Sequence, residues 1–561
     1  MKNKGEQKMK KRLVALLLGV SMICSTFVGC GNKEAEGNKV GSGVLTVGIP
    51  QVMSVTDFDD NALTRYFEEK IGAEIEFVYF NDSASAMEQQ FSLMCAAEDE
   101  PLPDVLWGFQ AISKDTMNIY GEDEYLLDLT DLIDKYGKNY KAMLEKLPAR
   151  TRERVEKIVV NPNDGAIYGL PIVTDYSMED VQIMSYINQK WLDKLGLPMP
   201  TTADEFYNVL KAFKTQDPNG NGKADEIPIV GTQSGVASAA TATEYVINAF
   251  VEYNRSTIFN VDAKGKVWSP VATDEWRQAL IYMNKLVKEG LMSDLSFTID
   301  SHNEYISTIV GNDDVPRVGV FVAHPAAFIS SGTSALEEYT VLPALSDATG
   351  SGRGGLTMTK EPAIQLSTYI TADCEDVELA MKFVDLMYDD YTAAVMRNGE
   401  EGVDWERGEG KNYLGTDSVV KVINENAYFE GNSTWGKLAG IYGGNLYCTT
   451  IVDGVVDGIS ADTNRLYGET YQMKLAAEKA GNVPKDSVAE VIYTEEEREL
   501  RNEFFSTYQS YVRQFIAAAA TGTKDINSDA VWNEYVAGLE NYQESEFIKI
   551  TQKAFDRDNK K

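Results

Sequence analysis

The sequence runs to 561 residues, 43% hydrophobic and 10% aromatic, with 86 acidic against 52 basic side chains and a formal net charge of -34. That apolar and aromatic content excludes a disordered chain, and so acidic a surface excludes nucleic acid and anionic lipid as partners. The length predicts two or more lobes of one folded body.

The chain opens with MKNKGEQKMKKRLVALLLGVSMICSTFVGC. Lys8, Lys10, Lys11 and Arg12 give a basic start, Leu13 to Cys24 an apolar run, and small residues follow. This is the pattern of a secretory signal, too short for an ordinary membrane-spanning helix, and no other window has the length and apolarity to span. Gly29-Cys30 resembles a bacterial lipobox, with Phe27 where Leu is more usual. That resemblance implies cleavage before Cys30 and a diacylglycerol on its sulfur; the alternative is a plain secretion signal with an incidental cysteine. Residues 30–42 are polar and Gly-rich and read as a flexible tether. Loss of residues 1–29 removes six basic residues and one acidic residue, leaving 46 against 85 and a net charge of -39. With Cys24 lost with the signal and Cys30 carrying lipid, Cys95, Cys374 and Cys448 remain, an odd set without CxxC spacing, so buried free thiols are expected rather than a disulfide framework or a zinc site.

GVLTVGIP (43–50) is a short apolar strand ending in a turn. NALTRYFEEKIG (61–72) places Leu63, Tyr66, Phe67 and Ile71 at helical spacing and stops at Gly72. AEIEFVYF (73–80) alternates as a strand does, SAMEQQFSLMCAAE (85–98) is helical, and PDVLWGF (103–109) suits a buried parallel strand. The rhythm is that of an open α/β sheet, whose ligands lie outside the carboxyl ends of the strands, where Trp107 and Phe109 fall. NDGAIYGLPI (163–172) is a turn into another apolar strand.

Five blocks carry a family resemblance: PLPDVLWG (101–108), DGAIYGLP (164–171), INQKWLDKLGLPMPTTADEFYNVLKAF (187–213), the Asp/Asn/Gly loop that follows it, and NGEEGVDWE (398–406). In this order, behind a lipobox, they make the chain similar to the extracellular solute-binding proteins of bacterial ABC importers. The resemblance is strongest to the large oligosaccharide-binding lipoproteins of Gram-positive bacteria and to alginate-binding receptors. From about Asn412 on the match is loose, which leaves the ligand class open. The resemblance implies an α/β, two-lobe periplasmic-binding-protein-like fold of type II, each lobe an open sheet flanked by helices, with hinge strands crossing between lobes. It assigns residues 43–165 and 367–398 to an N-terminal lobe, and 166–366 and 399–561 to a C-terminal lobe. It also implies a monomer, lipid-anchored at the cell membrane and facing outward, that captures an oligosaccharide and delivers it to permease subunits. A peptide or other polar solute is the alternative cargo. A surface polysaccharide-degrading or adhesive lipoprotein is the alternative of another class.

Later elements read independently of the resemblance. TDEWRQALIYMNKLVKEGLM (273–292) puts Trp276, Leu280, Met283 and Leu286 on one helical face. VPRVGVFVAHPAAFISS (315–331) is a strand meeting a helix, IQLSTYIT (364–371) a strand, and CEDVELAMKFVDLMY (374–388) a helix.

DPNGNGKADEIP (217–228) has the spacing of a calcium loop. Oxygen ligands at alternate positions are met by Asp217, Asn219, Asn221 and Asp225, with Gly222 at the sharp turn and Lys223 offering its backbone carbonyl. Pro228 stands where an EF-hand has its bidentate Glu; Glu226 can supply that carboxylate, as the resemblance implies. A strand pattern follows instead of a helix, so calcium here is expected to be structural, pinning a helix end to a strand. A metal-free Asx-Gly turn is the alternative.

No catalytic pattern emerges. His302 and His324 are the only histidines and lie in no metal motif; GxSxG and GxxxxGK[ST] are absent, and GSGRGG (350–355) lacks a flanking strand and helix. The chain therefore reads as a binding protein and not an enzyme. A sugar site combines flat rings with polar side chains for the hydroxyl rim. Candidate rings are Trp107, Tyr176, Trp405 and Trp435; candidate polar groups are Asp175, His324, Asp404 and Glu406. Trp191 and Trp276 read as core and Trp268 as hairpin packing, while Arg353 reads as a solvated position in a mobile loop.

Overall fold

The computed structural model describes residues 43–52, 55–97, 100–147, 149–174, 184–232, 241–310, 315–324, 335–345, 363–411, 417–424, 427, 433–436, 459–480, 488, 491 and 493–559. In chain order the strands are β1 (Val44–Pro50), β2 (Glu74–Phe80), β3 (Val105–Trp107), β4 (Gly169–Thr174), β5 (Ser185–Asn188), β6 (Ile227–Val230), β7 (Asn260–Val261), β8 (Val267–Trp268), β9 (Val318–Val322), β10 (Tyr339–Val341), β11 (Ala363–Ile370), β12 (Trp405–Lys411) and β13 (Asp417–Val422). The chain forms two compact units, each assembled from three segments: unit 1 from 1–174, 363–407 and 422–452, unit 2 from 175–362, 408–421 and 453–561.

In unit 1 the strand order is β2-β1-β3-β11-β4. β1 pairs parallel with β2 and β3, as the alternating strand and helix patterns anticipate, whereas β11 runs antiparallel to both β3 and β4. β1 lies deep in the sheet, where Gly48 permits close packing: a Cβ there would stand 2.9 Å from the Phe80 ring and 3.0 Å from Leu106 and Pro103. The first helix, Ala62–Ile71, starts where the Asn61 side chain accepts the Leu63 N–H and stops at Gly72 with φ 77°. Helices Val377–Leu386 and Asp390–Asn398 follow β11 and complete the layer, with Phe383 edge-on to Phe67 at 5.0 Å.

Unit 2 holds the order β10-β5-β9-β6, with β6 and β9 parallel and the other neighbours antiparallel. Helix Ala203–Thr215 begins with a capping box between Thr202 and Glu205. Helix Asp274–Lys288 buries Trp276, Ala279, Leu280, Met283 and Leu286, the face expected from its spacing. Trp191 packs edge-on against Phe213 and Trp276 against Tyr253. Trp268 ends the β7–β8 hairpin. The C-terminal third is helical over Ile459–Ala480, Glu495–Ala520, Asp529–Leu539 and Glu544–Asp558; Phe515 and Tyr535 stack at 3.7 Å in its core.

Cys95 and Cys374 are buried free thiols, and burial pushes each up to about 12, so both stay protonated and inert. Cys448 and Cys30 lie outside the described residues. Among the described residues no helix is long and apolar enough to cross a membrane.

Candidate functional sites: the 217–226 loop and the strand ends

The loop between helix Ala203–Thr215 and β6 folds on its own side chains. Asp217, with φ 46°, accepts the Gly220 N–H at 3.0 Å through Oδ1 and the Gly222 N–H at 3.1 Å through Oδ2. Asn219 Oδ1 accepts the Asn221 N–H at 3.0 Å, and Asn221 Oδ1 the Lys223 N–H at 2.8 Å. The two amide groups also donate to Asp225, from Asn219 Nδ2 at 3.3 Å and from Asn221 Nδ2 at 3.0 Å. These bonds, that from Asn221 foremost, hold the Asp225 carboxyl below its usual range. Gly220 and Gly222 take φ 75° and 74°, the left-handed turns that the glycines in the sequence allow.

Glu226 is different. Its Oε1 is buried and has no hydrogen-bond partner among the described residues. Burial raises its carboxyl above the ordinary value, and the nearby charges of Asp217 and Asp225 push it further. Lys194 donates to the carbonyls of Asp217 at 3.2 Å and Pro218 at 2.9 Å, and the Ile227 N–H bonds the Arg317 carbonyl at 2.7 Å, fastening the loop at both ends. Among the described residues, no three His, Cys, Asp or Glu side chains close on one point as a metal cluster. The loop's donor set is instead mixed carboxylate, amide and carbonyl oxygen, the hard-oxygen chemistry that suits calcium. An orphaned carboxylate oxygen beside two further acids fits such an ion.

The expected ring platforms lie elsewhere. Trp107 is fully buried in β3, its Nε1 without a hydrogen-bond partner among the described residues, and packs edge-on to Trp435 at 4.9 Å. Trp435 is also fully buried; its Nε1 donates to Thr64 Oγ1 at 2.9 Å, and Phe58, Phe67 and Phe77 surround it. It falls in unit 1, whereas the resemblance assigns 399–561 to the C-terminal lobe. Trp405 is 2% exposed, with Nε1 donating to the Gly399 carbonyl at 2.9 Å. A ring covered on all sides offers no face to a sugar, so in this arrangement these three tryptophans are core residues. Asp404 is likewise buried and ties a turn: its Oδ2 accepts the Glu400 N–H at 2.9 Å and its Oδ1 the Asn424 amide at 2.8 Å. Glu406 is exposed. Asp175 and Tyr176 lie outside the described residues, as does Arg353.

His324 lies two residues beyond the end of β9, half-buried. Its Nδ1 lies 2.6 Å from the Tyr467 hydroxyl, with the rings edge-to-face at 5.2 Å. Sequence reasoning missed Tyr467. It sits on a helix 143 positions away, and only the folded chain brings the two together.

A model of the family described as "bacterial extracellular solute-binding protein" matches residues 54–393, more than half of the chain. The fructooligosaccharide ABC transporter substrate-binding protein FusA of Streptococcus pneumoniae is 26% identical over 521 residues, 90% of this chain and 88% of that protein. Lipoprotein LipO of Bacillus subtilis is 26% identical over 72% of this chain and 75% of its own. A solved structure of FusA from S. pneumoniae, an EF-hand mutant in complex with fructo-nystose, superposes with a TM-score of 0.70 at 22% identity, covering 92% of this chain and 99% of that one. That likeness is one of fold.

Proposed function

The chain belongs to the bacterial extracellular solute-binding protein family, and on that premise we propose that it captures a carbohydrate, an oligosaccharide, and hands it to the permease of an ABC importer without changing it. The observation that carries this reading is the match to a fructooligosaccharide-binding relative along 90% of the chain. The likeness is thus not confined to one lobe's scaffold.

In this reading the ligand is met beyond the carboxyl ends of sheet strands, with His324 as a polar contact and no buried tryptophan taking part. Cys30 carries the lipid that holds the protein at the outer face of the membrane; a relative described as a lipoprotein supports this. Calcium is held in the loop by Asp217, Asn219, Asn221, Asp225, Glu226 and the Lys223 carbonyl. A relative's EF-hand and the orphaned Glu226 oxygen support that assignment. When bound, the ion would supply positive charge beside the loop's carboxylates; the chain's own residues keep the loop folded.

The test is a thermal-shift screen of the calcium-loaded protein against neutral oligosaccharides of fructose, glucose, galactose and mannose, uronic-acid oligomers and short peptides. Only a true ligand raises the melting temperature by mass action. A rise with one sugar class is expected. A rise with peptides alone overturns the carbohydrate reading.

A further inference from the structure

β1, β2 and β3 run parallel and so end at one edge of the unit 1 sheet. Open α/β sheets meet ligands beyond such carboxyl ends. Just past β3 the chain turns at Gly108, φ 84°, a left-handed conformation that glycine adopts without strain. Phe109 is fully buried, edge-on to Phe80 at 4.9 Å, and Ile112 is buried with its N–H on the Phe109 carbonyl at 3.0 Å. Gln110 lies between these two anchors. It is the first polar side chain after β3, and it is half-buried.

Opposite this turn β11 carries an irregularity. Leu366 pairs with Pro171 and Thr368 with Leu170, so Ser367 is an extra residue with no partner in β4. A bulge of this kind re-aims a side chain. Ser367 is 1% exposed; its carbonyl accepts the Phe109 N–H at 3.0 Å, and its Oγ donates to Gln110 Oε1 at 3.1 Å. The backbone bond already joins β11 to the turn, and the hydroxyl bond holds the carboxamide as well. Gln110 Nε2 has no hydrogen-bond partner among the described residues. One end of the carboxamide is thus taken by a buried hydroxyl, and the other is open.

We propose that Gln110 is a hydroxyl-recognition residue of the carbohydrate site, with Ser367 the positioning residue that fixes the carboxamide's plane. A primary amide has two N–H donors and an acceptor oxygen with two lone pairs. Ser367 uses one lone pair. The second lone pair and the two donors lie in the plane it fixes, and they match two adjacent hydroxyls of one sugar ring, one donating and one accepting. A site that hydrogen-bonds a hydroxyl in this way rejects an analogue lacking it, because its own polar groups are then left unpaired.

This inference rests on the carbohydrate reading, and its test separates the two. The panel sugar that raises the wild-type melting temperature most is titrated calorimetrically into wild type, Gln110→Met, Ser367→Ala and the double variant. Gln110→Met keeps the length of the side chain and removes both amide groups; it is expected to weaken binding about tenfold. Ser367→Ala leaves the amide present but unheld, and is expected to weaken binding about threefold. The double variant leaves no buried hydroxyl without its acceptor, so it is expected to melt near the wild-type temperature and to bind as Gln110→Met does. In protein isotope-labelled at glutamine nitrogen, the Gln110 side-chain amide signal is identified by its absence from Gln110→Met. That signal is expected to move on saturation with sugar in wild type, and to lie elsewhere in ligand-free Ser367→Ala. Wild-type affinity in the double variant overturns this inference alone, as does an amide signal that sugar leaves in place. Wild-type affinity in Ser367→Ala overturns the positioning role. A wild type that binds no sugar of the panel overturns the carbohydrate reading and this inference with it.

Discussion

At the scale of single residues, depth decides what an aromatic side chain does, and depth is what a sequence does not carry. Trp435, in a Gly-flanked polar stretch, and Trp405, between two acids, read as ring platforms; both are enclosed, and both indole N–H groups are bonded inside unit 1. Truncating a buried tryptophan removes transfer free energy and leaves a cavity, about 3–5 kcal/mol in total. Trp435→Ala is therefore expected to lower the denaturation midpoint by that order, and Trp405→Ala to act in the same direction. Urea unfolding checks both, and unchanged midpoints would return the rings to the binding surface. Glu226 gives a prediction whose sign depends on the ion. Its carboxyl is raised by burial first and then by Asp217 and Asp225. A carboxyl raised in the folded state favours folding most at low pH, where it is protonated, and that contribution is lost as pH climbs through its folded value. At neutral pH without metal the Glu226 charge is thus a cost, and with calcium it becomes a ligand. Glu226→Gln is expected to melt at or above the wild-type temperature in chelator and to lose most of the wild type's rise on adding calcium. A variant that keeps the full rise removes Glu226 from the cage. The loop itself was legible because alternate Asp and Asn with two glycines is a local pattern. The orphaned oxygen was not, because burial comes from the rest of the fold.

At the scale of elements the same division holds. β1, β2 and the helix between them follow from alternation, a 3.6-residue period and a Gly stop, all within a few residues of one another. The insertion of β11 between β3 and β4 does not, because its partners lie nearly two hundred residues or more upstream in the chain. That insertion has a consequence. Among the described residues β4 pairs only with β11 in the unit 1 sheet, so a chain ending at Thr174 leaves β4 without that neighbour and β3 with an open edge. It also lacks Phe383 and Trp435, which pack on Phe67. Such a chain is expected to show no cooperative urea transition, and a sharp transition at native-like midpoint would overturn this account of the sheet. A second prediction concerns helix Ala242–Asn248. Its capping glutamate, Glu244, accepts the N–H groups of Thr241 at 2.8 Å and Arg255 at 2.9 Å, and burial pushes its carboxyl up to about 7 despite them. The group supports folding fully below its unfolded value near 4.5, and that support is lost as pH rises toward 7. Glu244→Gln can still cap the helix. Its melting temperature is expected to fall less than the wild type's between those pH values, and parallel curves would show that the carboxyl is not burial-shifted.

At the scale of the whole molecule, the chain leaves unit 1 after Thr174, returns at Ala363, leaves again after Arg407, returns at Val422 and ends in unit 2. Neither unit is a contiguous stretch, so neither can be excised as a working fragment, and binding must be measured on the intact protein. The net charge of -34 suits a protein that stays soluble among anionic surfaces, and it disfavours polyanionic cargo unless cations accompany it. A receptor does its work by mass action. A ligand at a hundred times its dissociation constant adds about 2.7 kcal/mol to the stability of the form that binds it. Such a gain appears at once, in proportion to sugar concentration, and disappears on dialysis. An enzyme would instead consume the sugar, and the shift would decay with incubation. The expected result is a stable melting-temperature rise with one sugar released per protein chain on denaturation, chromatographically identical to the sugar added. Shorter products accumulating with time would overturn the receptor reading, because no set of binding contacts alone cleaves a glycosidic bond.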